Sequence, residues 1–392
     1  MQMDFQLIRD RVETLARSFA AERLNRQQRV ALDPADFAAL HDAGYLRLAV
    51  PVEHGGVFES FSRSIRPICE VLRILGRSDS SLALVCAMHP AVLGFWLVVS
   101  DAPSAHKTGW QQQREALFRH ALQGAFFGTI TSEPGSGGDV CRTRAVARRV
   151  DAGYVLDGQK HFGSGSGVTS FMITTAIPEG EKEPDWFLLD VRGVPWDGTR
   201  GMTLQATWDG HGMPATQSHG MSFSGFPALR YGWPGRGKAL STAVSPFVGC
   251  MFSAVIVGVV DAAMQLAQAQ LAPRRAALRP FEKTEWARAE IDAWLVTQAL
   301  EGMIRAAESE PPHDREVTCG KLAIAELAEA CLQRICRVLG GGSYSRRSPI
   351  GYLFEDVRAL GFLRPPWGLA YDHLMEGPDA EAGSASNGTV KP

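Results

Sequence analysis

Apolar residues at Phe5, Ile8, Val12, Leu15 and Phe19 recur every three or four positions, the spacing that lines one face of a helix. A second helix is predicted after Asp33 and Pro34, an N-cap followed by a residue whose fixed φ suits a first turn. Phe37 and Leu40 would face inward and Gly44 would stop it. The helical period continues over 64–76 and 80–99, so residues 1–123 read as all-α. From Phe126 the period drops to two. FFGTITS, TRAVARRV, YVLDGQKHF, SFMITTA, DWFLLDV and MTLQATW are short β-type runs, punctuated by turn signals such as Asp157-Gly158. They predict a β-sandwich or open barrel. After WPGRGK, helices are predicted over about 246–271, 280–308 and 314–339, with Ile291, Trp294, Leu295, Ala299, Gly302 and Met303 on one face of the second.

The expected fold is therefore α+β in three parts: an N-terminal helical domain (1–123), a central β-barrel or sandwich (124–236) and a C-terminal four-helix bundle (237–375). Residues 376–392 are small and polar, and a disordered tail is expected there.

Composition narrows the class. Forty basic and 42 acidic residues are interspersed, giving a net charge of −2 and no basic stripe for nucleic acid. The seven cysteines form no CxxC pair, so reduced thiols and a cytoplasmic setting are expected. The first residues lack the pattern of a secretory signal. The run Phe247 to Val260 is too short for a bilayer, which needs roughly 20 residues, and reads as a buried helix with no membrane span.

Candidate chemistry sits at two strand ends. TSEPGSGGDV (131–140) has three glycines in four positions after a strand. No Lys-Ser/Thr follows and no GxGxxG is present, so P-loop and dinucleotide-fold readings fail. Alone, the segment reads as a structural turn. About thirty residues on, however, YVLDGQKHF runs into a second glycine and hydroxyl loop, GSGSG. Paired strand ends with free N–H groups and hydroxyls suit a ligand with polar ring edges and a pyrophosphate.

With these segments in view, the chain resembles the acyl-CoA dehydrogenase superfamily of flavoproteins over nearly its whole length. LHDAGYLRLAVPVEHGG is similar to the family's N-terminal segment, GTITSEPGSGGD to its T-E-P-G-x-G-S-D loop, and YVLDGQKHFGSGSG to its G-x-K-x-x-x-(S/T) loop. WDGHGMPATQSHGMSFSGFP resembles the G-M-R-(A/G)-T-x-S sheet segment, and LGGGSYSRRSPIGYLFEDVRA the C-terminal segment. The resemblance implies FAD, with FMN as an alternative. It implies that Thr129, Thr131 and Ser132 hold the flavin ring, that Gly137 and Gly138 let the backbone approach it, and that Phe162 stacks on it. Ser164 would lie near its reactive nitrogen, and Gly340 and Gly341 would open the C-terminal side of the site. Gly137 also reads as a turn former, and Glu133 as a cap on local N–H groups.

The chain departs from the family pattern at the chemistry. In that family a Glu follows the R-D-A segment and takes the α proton. Counted from Asp356, the matching position falls close to Arg364, which cannot act as a base at neutral pH. A second known site for the base, near Val248 and Gly249, also lacks an acid. Pro214 replaces the Arg of the sheet motif, Gly138 replaces a Ser, and the family's Arg-x-x-Phe-Gly segment is not clear in PRRAALRPFEK. A sister group on this fold hydroxylates aromatic, sulfur or amine substrates with reduced flavin and oxygen, and often carries a His in the N-terminal helices. His89 could correspond to it, or line a pocket or the core, while no C-terminal His stands near Leu363. His89 and Arg364 are the candidate substrate-pocket residues, and no catalytic residue is assigned. The ending PPWGLAYDHL resembles a divergent branch that lacks an obvious Glu.

His211 and His219 lack metal-ligand spacing, so no metal is expected. A serine nucleophile, Ser136 or Ser164, would need a nucleophile elbow, imitated here only by GSGSG. The expectation is a flavin-dependent oxidoreductase acting on an acyl thioester. The alternatives are a flavin monooxygenase fed by a partner reductase, and a catalytically silent flavin-binding homologue. A homodimer or homotetramer is expected through the helical bundle.

Overall fold

The computed structural model describes residues 4–151 and 153–376; the predicted disordered tail lies outside them, apart from Glu376. Six helices come first: α1 (Phe5–Ala21), α2 (Arg23–Gln27), α3 (Pro34–Ala43), α4 (Phe61–Ser78), α5 (Ser80–Leu97) and α6 (Ser104–Leu122). Asp4 caps α1 by accepting from the Leu7 N–H at 2.8 Å, and α1 buries Ile8, Val12, Ala16 and Phe19. Gly44 stops α3 in the left-handed region at φ 92°.

Seven strands follow: β1 (Phe127–Thr129), β2 (Val146–Val150), β3 (Gly153–Gly163), β4 (Phe171–Pro178), β5 (Asp185–Asp190), β6 (Met202–Ala206) and β7 (His219–Arg230). The pairings β4–β2, β2–β3, β3–β7, β7–β5 and β5–β4 close into a ring, so the sheet is a barrel, with β1 and β6 added at its sides. The period-two runs anticipate six of the strands. They miss β7, whose inward residues Met221, Phe223, Phe226 and Ala228 break alternation once, where its register with β3 shifts. A shift of one residue moves the inward set to the opposite parity.

The chain then returns to helix in α7 (Gly237–Leu271), α8 (Pro280–Glu308), α9 (Asp314–Leu339), α10 (Pro349–Val357) and α11 (Trp367–Met375). α7 begins nine residues before the predicted start and runs through Pro246. Proline removes one helical hydrogen bond, but burial of Val244, Pro246 and Phe247 holds the helix across it. α5 and α7 are apolar enough to pass a composition test for membrane spans, yet 94% and 83% of those windows are buried inside the protein, the setting of core helices. On α8 the predicted single face divides. Ile291 and Trp294 are exposed while Met303 is fully buried, because at 3.6 residues per turn Met303 falls roughly 120° round from Ile291.

The N-terminal and C-terminal helices share one hydrophobic core, and the barrel has its own, built on Ile130, Leu156, Met172, Phe187 and Phe226. α4 and α7 cross closely. A Cβ on Gly76 would stand 2.2 Å from the Val255 carbonyl oxygen, and one on Gly258 would stand 2.2 Å from that of Arg73. Only glycine admits such an approach. Beside the crossing, Arg73 grips Asp261 in a two-pronged ion pair at 2.6 and 2.9 Å.

Candidate active site

The two glycine loops meet. β1 lies parallel to β4, and the chain leaves it through Ile130, whose N–H donates to the Ile173 carbonyl at 2.9 Å. Two residues on, the Ser132 carbonyl accepts from the His161 N–H at 2.8 Å, joining the first loop to the last residues of β3. Beneath this junction runs a buried ion pair. Lys160 Nζ donates to Glu133 Oε1 at 2.6 Å, to Thr143 Oγ1 at 3.0 Å and to the Thr175 carbonyl at 2.6 Å. Glu133 also accepts from the Thr143 hydroxyl and from the N–H groups of Arg144 at 2.7 Å and Ala145 at 3.3 Å. It therefore caps local N–H groups and ties the first loop to β3.

Burial pushes Glu133 upward, but Lys160, Thr143 and the Arg144 N–H outweigh it and hold the carboxyl below its ordinary range. Burial lowers Lys160 to about 8 against the pull of Glu133. These directions favour opposite charge states of the pair. The donors converging on Glu133 support the ionised form.

Above the staple the side chains are arranged differently. The hydroxyls of Thr129, Thr131 and Ser132 make no hydrogen bond among the described residues. Phe162 is 58% exposed and sits at φ 58°, a conformation bulky side chains seldom adopt, with its ring 6.1 Å from that of Trp208. Strain that presents an apolar ring to open space is a mark of a ligand contact. Ser164 is buried, and its hydroxyl meets that of Ser218 at 2.7 Å, which meets that of Thr216 at 2.8 Å, which donates to the Met213 carbonyl at 2.9 Å. Three protons serve three contacts, and the carbonyl can only accept. All three protons therefore point toward Met213, and the Ser164 oxygen is left as an acceptor.

The glycines differ in role. Gly135, Gly137 and Gly138 all have positive φ (79°, 63° and 86°), so the turn itself requires them. Space is open around a Cβ built on Gly137, whereas one on Gly138 would meet Pro366 Cγ at 2.8 Å. Gly138 thus lies against protein, under the segment that carries Arg364. Gly340 and Gly341 are elsewhere: Gly340 ends α9, roughly 28 Å along that helix from Lys321, whose Nζ reaches the Pro365 carbonyl at 2.7 Å. A single chain does not bring them to the two loops.

His89, on α5, is fully buried, with its ring centroid 5.4 Å from Phe126, 5.6 Å from Phe127 and 6.3 Å from Tyr45. It backs the start of β1. Neither ring nitrogen has a hydrogen-bond partner among the described residues. Burial lowers its pKa to about 3; the nearby Leu46 backbone offsets a little of this without reaching hydrogen-bonding geometry.

Arg364 is half-buried and lies beside the first loop. Its Nη2 is buried with no partner among the described residues, and burial lowers the group to about 10, so it stays a cation at neutral pH. Asp139 supports it electrostatically without forming an ion pair, its own Oδ1 accepting from the Cys141 N–H at 2.8 Å. Among the described residues no free carboxylate occupies this position, and the second place where a base was sought is closed: Gly249 is buried, with Val317 at 3.1 Å from a Cβ built there.

Thr216 and Ser218 were not singled out in the sequence, and Lys160 appeared there only as a motif letter. Lys160 shares strand parity with the buried Leu156, a pattern that could have placed it inside. The hydroxyl chain had no sequence signal, because Ser164 and Ser218 are 54 residues apart. An open groove of about 650 Å³, lined by Gly302, Met303, His313 and Cys319, lies between α8 and α9, away from these loops.

The acyl-CoA dehydrogenase C-terminal domain family matches residues 247–364. The chain is 26% identical to benzylmalonyl-CoA dehydrogenase of Aromatoleum aromaticum, over 91% of this chain and 94% of that one. It is 27% identical to the amino sugar nitrososynthase DnmZ of Streptomyces peucetius, over 91% and 88%. Among solved structures, KijD3 in complex with FMN and a dTDP-linked amino-keto sugar superposes with a TM-score of 0.80 at 21% identity, covering 96% of this chain and 94% of that one.

Proposed function

From a chain that belongs to the acyl-CoA dehydrogenase superfamily, we propose a flavin-dependent oxidoreductase that binds FAD, or FMN, across the two joined loops and acts on an acyl thioester. The observation that carries this reading is the pairing of three unengaged hydroxyls with an exposed, left-handed Phe162 on one strand junction. The residues fit such a group: Thr129, Thr131 and Ser132 offer donors to its polar edge, and Phe162 covers an apolar face. When bound, a flavin supplies a two-electron acceptor, or, once reduced, electrons for oxygen. The chain's part is to hold and orient. The Glu133 and Lys160 staple fixes the loops relative to each other, and the hydroxyl chain from Met213 fixes Ser164.

A second reading, a monooxygenase using reduced flavin, has two observations in its favour. Counted from Asp356, the family's base position falls close to Arg364, which cannot take a proton from carbon at neutral pH. Ser164 presents an acceptor, which suits a ring N–H. A relative named as a nitrososynthase is consistent with it.

Titrating the purified protein with FAD and FMN tests the shared premise. Bound flavin is expected to show a perturbed visible spectrum, and Phe162→Ala is expected to weaken binding about tenfold, the worth of one aromatic contact of roughly 1.4 kcal/mol. An unperturbed spectrum with both flavins would end the proposal. Anaerobic mixing of the loaded protein with thioesters separates the readings: bleaching supports the first, whereas no bleaching together with oxygen uptake by the reduced protein and an amine or aromatic substrate supports the second.

A further inference from the structure

The segment Arg364, Pro365 and Pro366 is clamped from two sides. Lys321, 1% exposed on α9, holds the Pro365 carbonyl at 2.7 Å, and Pro366 rests on Gly138. The backbone on either side of Arg364 is therefore fixed, and its guanidinium is presented to the junction of the two loops, close enough to Lys160 to act on it electrostatically. A guanidinium carries five donors in a planar fork. Here it makes no hydrogen bond or ion pair among the described residues, and Nη2 is sealed from solvent. A donor sealed from solvent and left unpartnered is costly unless something completes it.

Nearby charge does not complete it. Glu133 is spent on Lys160, and Asp139 is engaged with the Cys141 N–H. Of the charged groups Arg364, Lys160, Glu133 and Asp139, which act on one another here, only the Arg364 side chain is engaged by no hydrogen bond among the described residues. That unengaged guanidinium selects for an anionic ligand.

We propose that Arg364 is a specificity-determining subsite that receives a carboxylate carried by the substrate. The substrate class is an acyl thioester bearing a free carboxylate on its acyl portion, a dicarboxylic acid monothioester, held by charge-assisted hydrogen bonds to the guanidinium fork. This deepens the thioester reading above and rests on it for the thioester half alone.

Calorimetric titration of the protein as purified tests it with two matched pairs: succinyl-CoA against butyryl-CoA, and methylmalonyl-CoA against isobutyryl-CoA. Each pair differs by a carboxylate in place of a methyl group. The carboxylated member of at least one pair is expected to bind about tenfold tighter or more to the wild type. The preference is expected to vanish in Arg364→Gln and to persist in weakened form in Arg364→Lys, which keeps the charge but loses the fork. Melting of the ligand-free variants checks that both fold. Equal affinities within both pairs, or a preference that survives Arg364→Gln, overturn the subsite while leaving the thioester reading intact. If no thioester binds but free succinate or methylmalonate binds in an Arg364-dependent way, the subsite stands and the thioester reading falls. Absence of any Arg364-dependent carboxylate binding overturns the proposal.

Discussion

His89 shows what one residue costs when burial removes its partners. The ring is enclosed by Tyr45, Phe126 and Phe127, and folding holds it neutral, with a pKa of about 3 against 6.5 in the unfolded chain. Between those values the unfolded state binds one more proton, so stability falls as pH drops below 6.5 and is fully present above it. The contribution is about 1.4 kcal/mol per pH unit in that window. In His89→Phe, thermal melts from pH 7 to pH 4 are expected to show a shallower acid-side decline than the wild type; parallel curves would show that the ring does not titrate as its burial implies. Arg364 is the converse case, a cation kept charged at neutral pH and left without a partner among the described residues.

At the scale of elements, the barrel's contribution to the site depends on one ion pair between the first loop and β3. Lys160→Met would leave the Glu133 carboxylate buried among the hydroxyl and N–H donors that remain. Removing one partner of a buried pair costs about 3–5 kcal/mol, so a large drop in the urea midpoint is expected, together with weaker flavin binding as the loops lose their common anchor. A variant that keeps its midpoint and loses only flavin would relocate Lys160 from staple to ligand. The loops themselves were legible in sequence, because glycine density after a period-two run signals a turn at a strand end. Their union was not: Ser132 pairs with His161 only because β3 crosses the barrel beside the first loop, and no local pattern encodes that contact. Gly340 and Gly341, which the resemblance assigned to the C-terminal side of the cofactor site, stand at the end of α9 far from Lys321.

At the scale of the whole molecule, α8 carries a run of exposed apolar side chains. Ile291 and Trp294, one turn apart, are 56% and 61% exposed, and Leu295 lies beside them. Clustered apolar exposure of this kind marks an interaction surface, and self-association through it is the expected outcome. Trp294→Glu should shift the protein toward a smaller species in analytical ultracentrifugation; an unchanged sedimentation coefficient, with the wild type already monomeric, would assign the run another role. The order of helix, strand and helix was readable from the sequence alone, because hydrophobic period is a local property that survives without knowledge of partners. So was the lack of an acid at the position counted from Asp356, close to Arg364. Only the tertiary structure decided that the two helical ends share one core, that Pro246 lies within a helix, and that Arg364 ends unpaired over the glycine loop. Each of those outcomes depends on residues distant in the chain that fill, shield or fail to neutralise one another, and such complementarity exists only after the chain has closed on itself.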